Sequence, residues 1–154
     1  MSRVISEAEF SQRIRLLLTG PRPFNMLVAE PGCVTGPGRS GAIAAVYASY
    51  ILSVPFIPFG QKIPEHLRPV LIIDTARESG ETLRKAVRKY ASDGAWSVAC
   101  YHEPPRVMFW YESAKPQQYR HEEYMRIARA VDTRNLPPGS LLDEYSLFHG
   151  EVRA

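Results

Sequence analysis

Residues 70–94, VLIIDTARESGETLRKAVRKYASDG, constrain the fold more than any other part of the chain. Residues 70–73 are a continuous apolar run, the pattern of a strand covered on both faces. A polar loop follows. Leu83, Ala86, Val87 and Tyr90 then recur at helical spacing, which predicts a helix over 80–90 with one buried stripe and Gly94 as its C-cap. Strand, loop and helix in succession are the unit of a parallel α/β sheet, because parallel strands need a crossover between them.

The flanking sequence repeats the pattern. Residues 24–52, FNMLVAEPGCVTGPGRSGAIAAVYASYIL, predict a strand at 26–29, a glycine-rich loop, and a helix over 42–52 built from small apolar residues. The segment 54–59 predicts a short strand limited by prolines. Residues 96–101 and 106–112 predict two more strands, and 121–131 a helix. Near the N-terminus a helix is expected over 7–18, with Ser6 and Glu9 as a capping box and Ile5 and Phe10 as its hydrophobic staple. The fold expected is one α/β domain over 1–154, with a parallel-sheet core at about 24–112 flanked by helices. A small C-terminal subdomain, cover or tail follows at about 113–154, where the chain turns polar and Pro/Gly-containing.

Composition narrows the function classes. The chain has 154 residues, 45% of them hydrophobic and 23% charged, which suits a globular domain and excludes a collagen or a coiled coil. No apolar run reaches the length of about 18 residues expected of a membrane-spanning helix. The N-terminal MSRVISEAEF has no signal-peptide core, so a cytoplasmic protein without a membrane partner is expected. The net charge of +3 is scattered along the chain and suits a small anionic ligand better than a nucleic acid. Cys33 and Cys100 are too few for a disulfide framework and read as reduced core residues.

In such sheets ligands bind beyond the carboxyl ends of the strands. Two loops with unusual chemistry are predicted there, 34–41 and 74–82. Gly36, Gly38 and Gly41 match GxGxxG, yet the acid expected about 20 residues on in a dinucleotide site is missing, since 54–64 brings none. A Walker loop needs Gly-Lys-Ser/Thr, whereas this one reads Arg39-Ser40-Gly41. What remains is an arginine in a glycine turn, able to offer a guanidinium and backbone N–H groups to a phosphate. In the second loop Asp74 ends a buried strand, and Ser79-Gly80-Glu81-Thr82 opens a helix whose first N–H groups form an anion site. A carboxylate at the strand tip can hold sugar hydroxyls, so one loop can grip both ends of a ribose 5-phosphate.

The segment IIDTARESGETL (72–83) resembles the phosphoribosyl pyrophosphate (PRPP) signature of type I phosphoribosyltransferases: an apolar strand, two acids, and Thr/Ser-Gly-x-Thr opening a helix. PGRSGAIAA looks like the pyrophosphate loop of that family, so the resemblance spans about 24–112. It implies a transferase, more narrowly a glycosyltransferase, that moves ribose 5-phosphate from PRPP to a nucleobase and releases pyrophosphate with Mg2+. It assigns Asp74, Thr75, Glu78, Ser79, Gly80, Glu81 and Thr82 to PRPP, with Asp74 as the metal contact, and Arg39, Ser40 and Gly41 to the pyrophosphate. An acid just before the Ser/Thr-Gly pair marks the 6-oxopurine members, so Glu78 is expected as the general acid/base toward a purine, implying purine salvage in nucleotide metabolism. His102, Trp110 and Tyr111 fall in the base-binding segment, with Lys115 further on. A homodimer is compatible with this reading. Two features depart from the family: Thr75 stands where the second acid usually is, and only 61–69 separates the second and third core strands, where a long closing loop is usual. Both favour the alternative, a non-catalytic PRPP or nucleotide sensor on the same fold.

Overall fold

The computed structural model describes residues 3–114 and 121–130. Residues 1–114 form one compact unit and 115–154 a second, of which α4 (His121–Ala130) is described. In the first unit the elements run β1 (Arg3–Ile5), α1 (Glu7–Thr19), β2 (Cys33–Thr35), α2 (Gly38–Leu52), β3 (Val70–Arg77), α3 (Glu81–Lys89), β4 (Trp96–His102) and β5 (Val107–Phe109). The central sheet has the order β2-β3-β4, every pair parallel. The fold class read from the sequence, α/β on a parallel sheet, is therefore the one observed.

Alternation along the strands divides the core into two layers. Val34, Leu71, Ile73, Val98 and Cys100 face α1 and α2, meeting Phe10, Ile14 and the alanine stripe Ala44, Ala45, Ala48. Cys33, Val70 and Ile72 face the other way, toward Leu83 and Ala86 of α3 and its C-cap Tyr90. All four residues 70–73 are fully buried, as a strand covered on both faces requires. Both cysteines are free and buried. Burial pushes the thiol of Cys33 up to about 11 and that of Cys100 up to about 12, so neither supplies a thiolate.

Of the expected capping box of α1 the Ser6 half forms: Ser6 Oγ accepts from the Glu9 N–H at 3.1 Å, and Ile5 and Phe10 are buried together. The Glu9 carboxylate turns outward to Arg3 and to the Tyr101 hydroxyl.

Several expected boundaries move. No strand forms at 26–29. The backbone there is satisfied locally: Arg22 donates to the carbonyls of Asn25 and Leu27, and Asn25 Oδ1 accepts from the Leu27 N–H. The strand lies instead at Cys33–Thr35. The strand expected at 54–59 shrinks to one parallel bridge, Phe56 to Val34, because Pro55 and Pro58 have no N–H to extend a ladder. The strand expected at 106–112 ends at Phe109, where Glu112 Oε2 takes the Phe109 N–H and the chain winds into a 3₁₀ turn over Trp110–Ala114. Its partner is β1, a strand not foreseen from the sequence. The helix after the first glycine loop starts at Gly38, so Arg39, Ser40 and Gly41 form its first turn.

Candidate active site

Because β2, β3 and β4 are parallel, their carboxyl ends meet at one edge, and residues 36–41, 78–80 and 103–106 all leave the sheet there. Two cavities open at this edge. The larger, about 480 Å³, is lined by Ser40, Asp74, Thr75 and Glu78 on one side and by Glu103, Arg106 and Glu112 on another, with Val107 and Phe109 as apolar wall. The smaller, about 250 Å³, is formed by residues of the loop Arg77–Thr82. They share Asp74, Ala76 and Glu78. A further cavity of about 540 Å³ touches Leu18, Leu52 and Val54 and contains none of the residues singled out from the sequence.

The smaller cavity is shaped by Gly80. This residue precedes α3 at φ +79°, a left-handed conformation that favours glycine. The first helical bond of α3 runs from the Arg84 N–H to the Gly80 carbonyl, so the N–H groups of residues 81–83 lie ahead of it. That of Glu81 is capped by Ser79 Oγ at 3.3 Å. Two guanidiniums flank the glycine: a Cβ at position 80 would stand 3.1 Å from Arg84 Nη1 and 3.2 Å from Arg77 Nη1. Arg77 lines the cavity, while Arg84 stands beside it and donates to the Ser79 carbonyl at 3.0 Å and to Glu81 at 3.1 Å; the helix-start N–H groups with this cationic flank form a cup suited to an anion. The arginines escaped sequence reasoning because they sit outside the Ser-Gly-Glu-Thr motif, one before it and one a helical turn after.

Asp74 stands at the wall between the two cavities. Its Oδ1 accepts from the Thr75 N–H at 2.7 Å, while Oδ2 carries no hydrogen bond among the described residues. Burial pushes the carboxyl up to about 6, against the opposing pull of the Thr75 hydrogen bonds. Thr75 itself is buried behind it. Among the described residues no three His, Cys, Asp or Glu side chains gather into a metal cage. Magnesium commonly takes one or two carboxylates together with substrate phosphates, and the open Asp74 oxygen fits a metal that arrives with its diphosphate.

Ser40, in the first turn of α2, reaches the same cavity, and its hydroxyl lies 3.1 Å from the Tyr111 hydroxyl. Tyr111 stacks on Phe109 with ring centroids 5.7 Å apart. Burial raises the Tyr111 phenol, keeping it protonated at neutral pH. Gly41 packs against Gly36 beneath the loop. Arg39 neighbours Ser40 in the helix turn but does not line either of these cavities.

None of the three residues expected at the base, His102, Trp110 and Tyr111, lines the larger cavity; Tyr111 reaches its neighbour Ser40 instead. Trp110 packs on Phe10 and Tyr47. His102 accepts at Nδ1 from Arg77 Nε at 2.8 Å, and burial, with Arg77 and Arg13 nearby, lowers its affinity for a proton. It steadies Arg77 rather than lining the larger cavity. Lys115 and most of the expected C-terminal cover lie outside the described residues. In place of these groups the cavity wall carries Glu103, Arg106 and Glu112. The only signal for them in the sequence is the pair of acids, Glu103 and Glu112, at the two ends of the stretch 103–112.

No protein-family model and no curated protein sequence matches the chain. Solved structures do. A xanthine-guanine-hypoxanthine phosphoribosyltransferase from Helicobacter pylori superposes with a TM-score of 0.60 at 12% identity, covering 85% of this chain and 99% of its own. A purine phosphoribosyltransferase from Pyrococcus horikoshii Ot3 gives 0.54 at 20% identity, covering 77% and 99%. A hypothetical protein from Neisseria gonorrhoeae with bound ppGpp gives 0.55 at 15% identity, covering 84% and 98%. With its parallel β2-β3-β4 sheet between α1–α2 and α3, the chain has the type I phosphoribosyltransferase fold.

Proposed function

We propose that the protein is a phosphoribosyltransferase that moves ribose 5-phosphate from PRPP to a nucleobase, with a purine favoured, and releases pyrophosphate. The observation carrying this reading is the pair of cavities that share Asp74 and Glu78, one of them an anion cup at the start of α3. A phosphosugar has the matching shape: a phosphate at one end and hydroxyls a few ångströms away.

In this reading the 5-phosphate lies in the cup, held by N–H groups of Gly80–Thr82, by Ser79 and by Arg77 and Arg84. Asp74 Oδ2 takes the ribose hydroxyls, directly or with Mg2+, which when bound neutralises charge on the pyrophosphate. Ser40, with Arg39 and Gly41 in the same helix turn, serves the pyrophosphate side. The C1′–O bond to pyrophosphate breaks with its electron pair leaving on oxygen. The base nitrogen forms the new C1′–N bond, and Glu78 accepts the proton that the base sheds. Anchoring the phosphate in the adjoining cup fixes the distance from Glu78 to the base. Purine salvage, a cytoplasmic location and a possible homodimer belong to the same proposal.

The test is turnover of PRPP with a panel of purines and pyrimidines. Glu78→Gln is expected to lower kcat by about 100-fold with little change in PRPP affinity. Full turnover by that variant removes Glu78 from the chemistry.

A second reading, a PRPP or nucleotide sensor without turnover, rests on a specific observation. The connection 61–69 is tied down by buried Ile63 and by the Arg68–Asp93 ion pair at 2.9 Å, so it does not serve as a closing loop. The bound ppGpp of the Neisseria structure is in keeping with such a role on this fold. Saturable PRPP binding with no turnover of any base selects this reading.

A further inference from the structure

We propose that Glu103 and Glu112 determine which base the larger cavity accepts, selecting a base edge that presents N–H donors and rejecting one that presents only oxo groups or a negative charge. The inference rests on the proposed placement of sugar and phosphate at Asp74 and the α3 cup.

Each of the two carboxylates is fixed by its own segment. Glu103 Oε2 accepts the Val107 N–H at 3.1 Å, and Glu112 Oε2 accepts the Phe109 N–H at 2.9 Å. Both side chains are part-buried and line the cavity with their second oxygen still available as an acceptor. Between them Arg106 lines the same wall, its guanidinium without a hydrogen bond among the described residues. Val107 and Phe109 complete the wall as apolar surface. The wall thus offers two preset acceptors, one donor and a hydrophobic face.

The complementary ligand is a planar base with amino or ring N–H groups for the carboxylates and one oxo group for Arg106, the pattern of guanine. Xanthine places an oxo group where guanine has its amino group, and orotate adds a carboxylate. Either brings oxygen lone pairs against fixed carboxylates, in a cavity that Asp74 and Glu78 already make acidic. Leaving such acceptors unpaired on binding is strongly unfavourable, and sites built around a hydrogen-bonded group reject analogues lacking it far better than pockets that sense size alone.

Binding of nucleoside monophosphates tests this without requiring turnover. Titration calorimetry on the full chain would compare ribose 5-phosphate with the 5′-monophosphates of guanosine, xanthosine and orotidine. The guanosine compound is expected to bind at least about tenfold more tightly than either of the others. Glu112→Gln and Glu103→Gln keep an acceptor for the Phe109 and Val107 N–H groups and exchange a carboxylate oxygen for a donor. Each is expected to narrow the guanosine-to-xanthosine ratio, by about tenfold at the position nearer the amino group, and to leave ribose 5-phosphate affinity unchanged. Equal binding of the guanosine and xanthosine compounds to the unaltered protein, or a ratio that neither variant moves, overturns the selection role while leaving the sugar-phosphate site standing. Failure of ribose 5-phosphate and all three nucleotides to bind overturns the site itself and the selection role with it.

Discussion

The two glycine-bearing loops at the carboxyl edge look alike in sequence and differ in what their glycines do. In the first, Gly36 and Gly41 lie against each other. A Cβ on Gly36 would overlap the Gly41 carbonyl and come within 2.5 Å of the Ile73 carbonyl oxygen, and one on Gly41 would stand 2.7 Å from the Gly36 carbonyl carbon. These glycines let α2 press its small-residue face onto β3. In the second loop Gly80 is itself buried, and the atoms nearest its missing Cβ are the guanidinium nitrogens of Arg77 and Arg84. One loop is shaped by backbone packed on backbone, and the other by two guanidiniums drawn against the start of a helix. A glycine count or a GxGxxG match does not separate these roles, whereas the neighbours of the absent Cβ do.

Four measurements would break or sharpen that contrast. The largest effect is expected from Gly36→Ala, which forces backbone apart in a packed interior and should lower unfolding stability by about 3 kcal/mol or more in urea titrations. A variant with wild-type stability would mean the first loop is not set by packing.

Next is Asp74→Asn, in the second loop's strand tip, which should stabilise. Burial pushes the wild-type carboxyl up from the ordinary carboxylate range, about 4, to about 6 in the folded protein. The folded state therefore holds the proton more tightly, and stability falls as pH rises through that window. The full penalty is present above about pH 6 and absent below about pH 4. Asn escapes it while keeping an acceptor for the Thr75 N–H, so it should be more stable by about 2 kcal/mol at pH 7 and no more stable at pH 4. The same change should weaken PRPP binding. Paired melting curves at the two pH values decide the first point.

Gly80→Ala comes third. Its φ of +79° strains any other L-residue by about 1–2 kcal/mol, and the new methyl enters the space between the two arginines. Inorganic phosphate, titrated by calorimetry, should bind about tenfold more weakly. A purely conformational glycine would lose stability and keep its phosphate affinity.

The smallest structural effect belongs to Arg84→Ala. Its pairing with Glu81 at 3.1 Å is exposed, so stability should move by less than about 0.5 kcal/mol. Phosphate affinity should still drop several-fold. Loss of stability without loss of phosphate binding would return Arg84 to the helix surface.

How far the sequence could be read follows from how local each determinant is. The α3 unit was legible because its signals are self-contained: a buried run at 70–73, a turn glycine, and an apolar stripe on the helix. The cap of α1 was legible for the same reason. The strand expected at 26–29 failed because the Arg22 and Asn25 side chains satisfy that backbone, and an apolar run does not show which nearby polar side chains will bond it. Asp74, Glu78 and Ser40, which line one cavity, stand out in the sequence because a motif marks them. Arg77 and Arg84 were missed because they flank the motif rather than sit in it, and Glu103, Arg106 and Glu112 because they meet Asp74 and Glu78 only in the folded chain. Trp110 was drawn toward the base by its chemistry and held in the core by Phe10 and Tyr47.

The pairing of β5 with β1 ties the cavity wall to the segment just ahead of α1. Val107, Met108 and Phe109 hydrogen-bond in register with Arg3, Val4 and Ile5, and the Arg3 N–H donates to the Arg106 carbonyl at 3.0 Å. The wall is therefore a clasp closed by the first few residues. An affinity tag fused directly ahead of Arg3, or trimming of those residues during purification, would act on residues 106–109 as a distant mutation, and assays of base preference are best run on protein with a native leading segment.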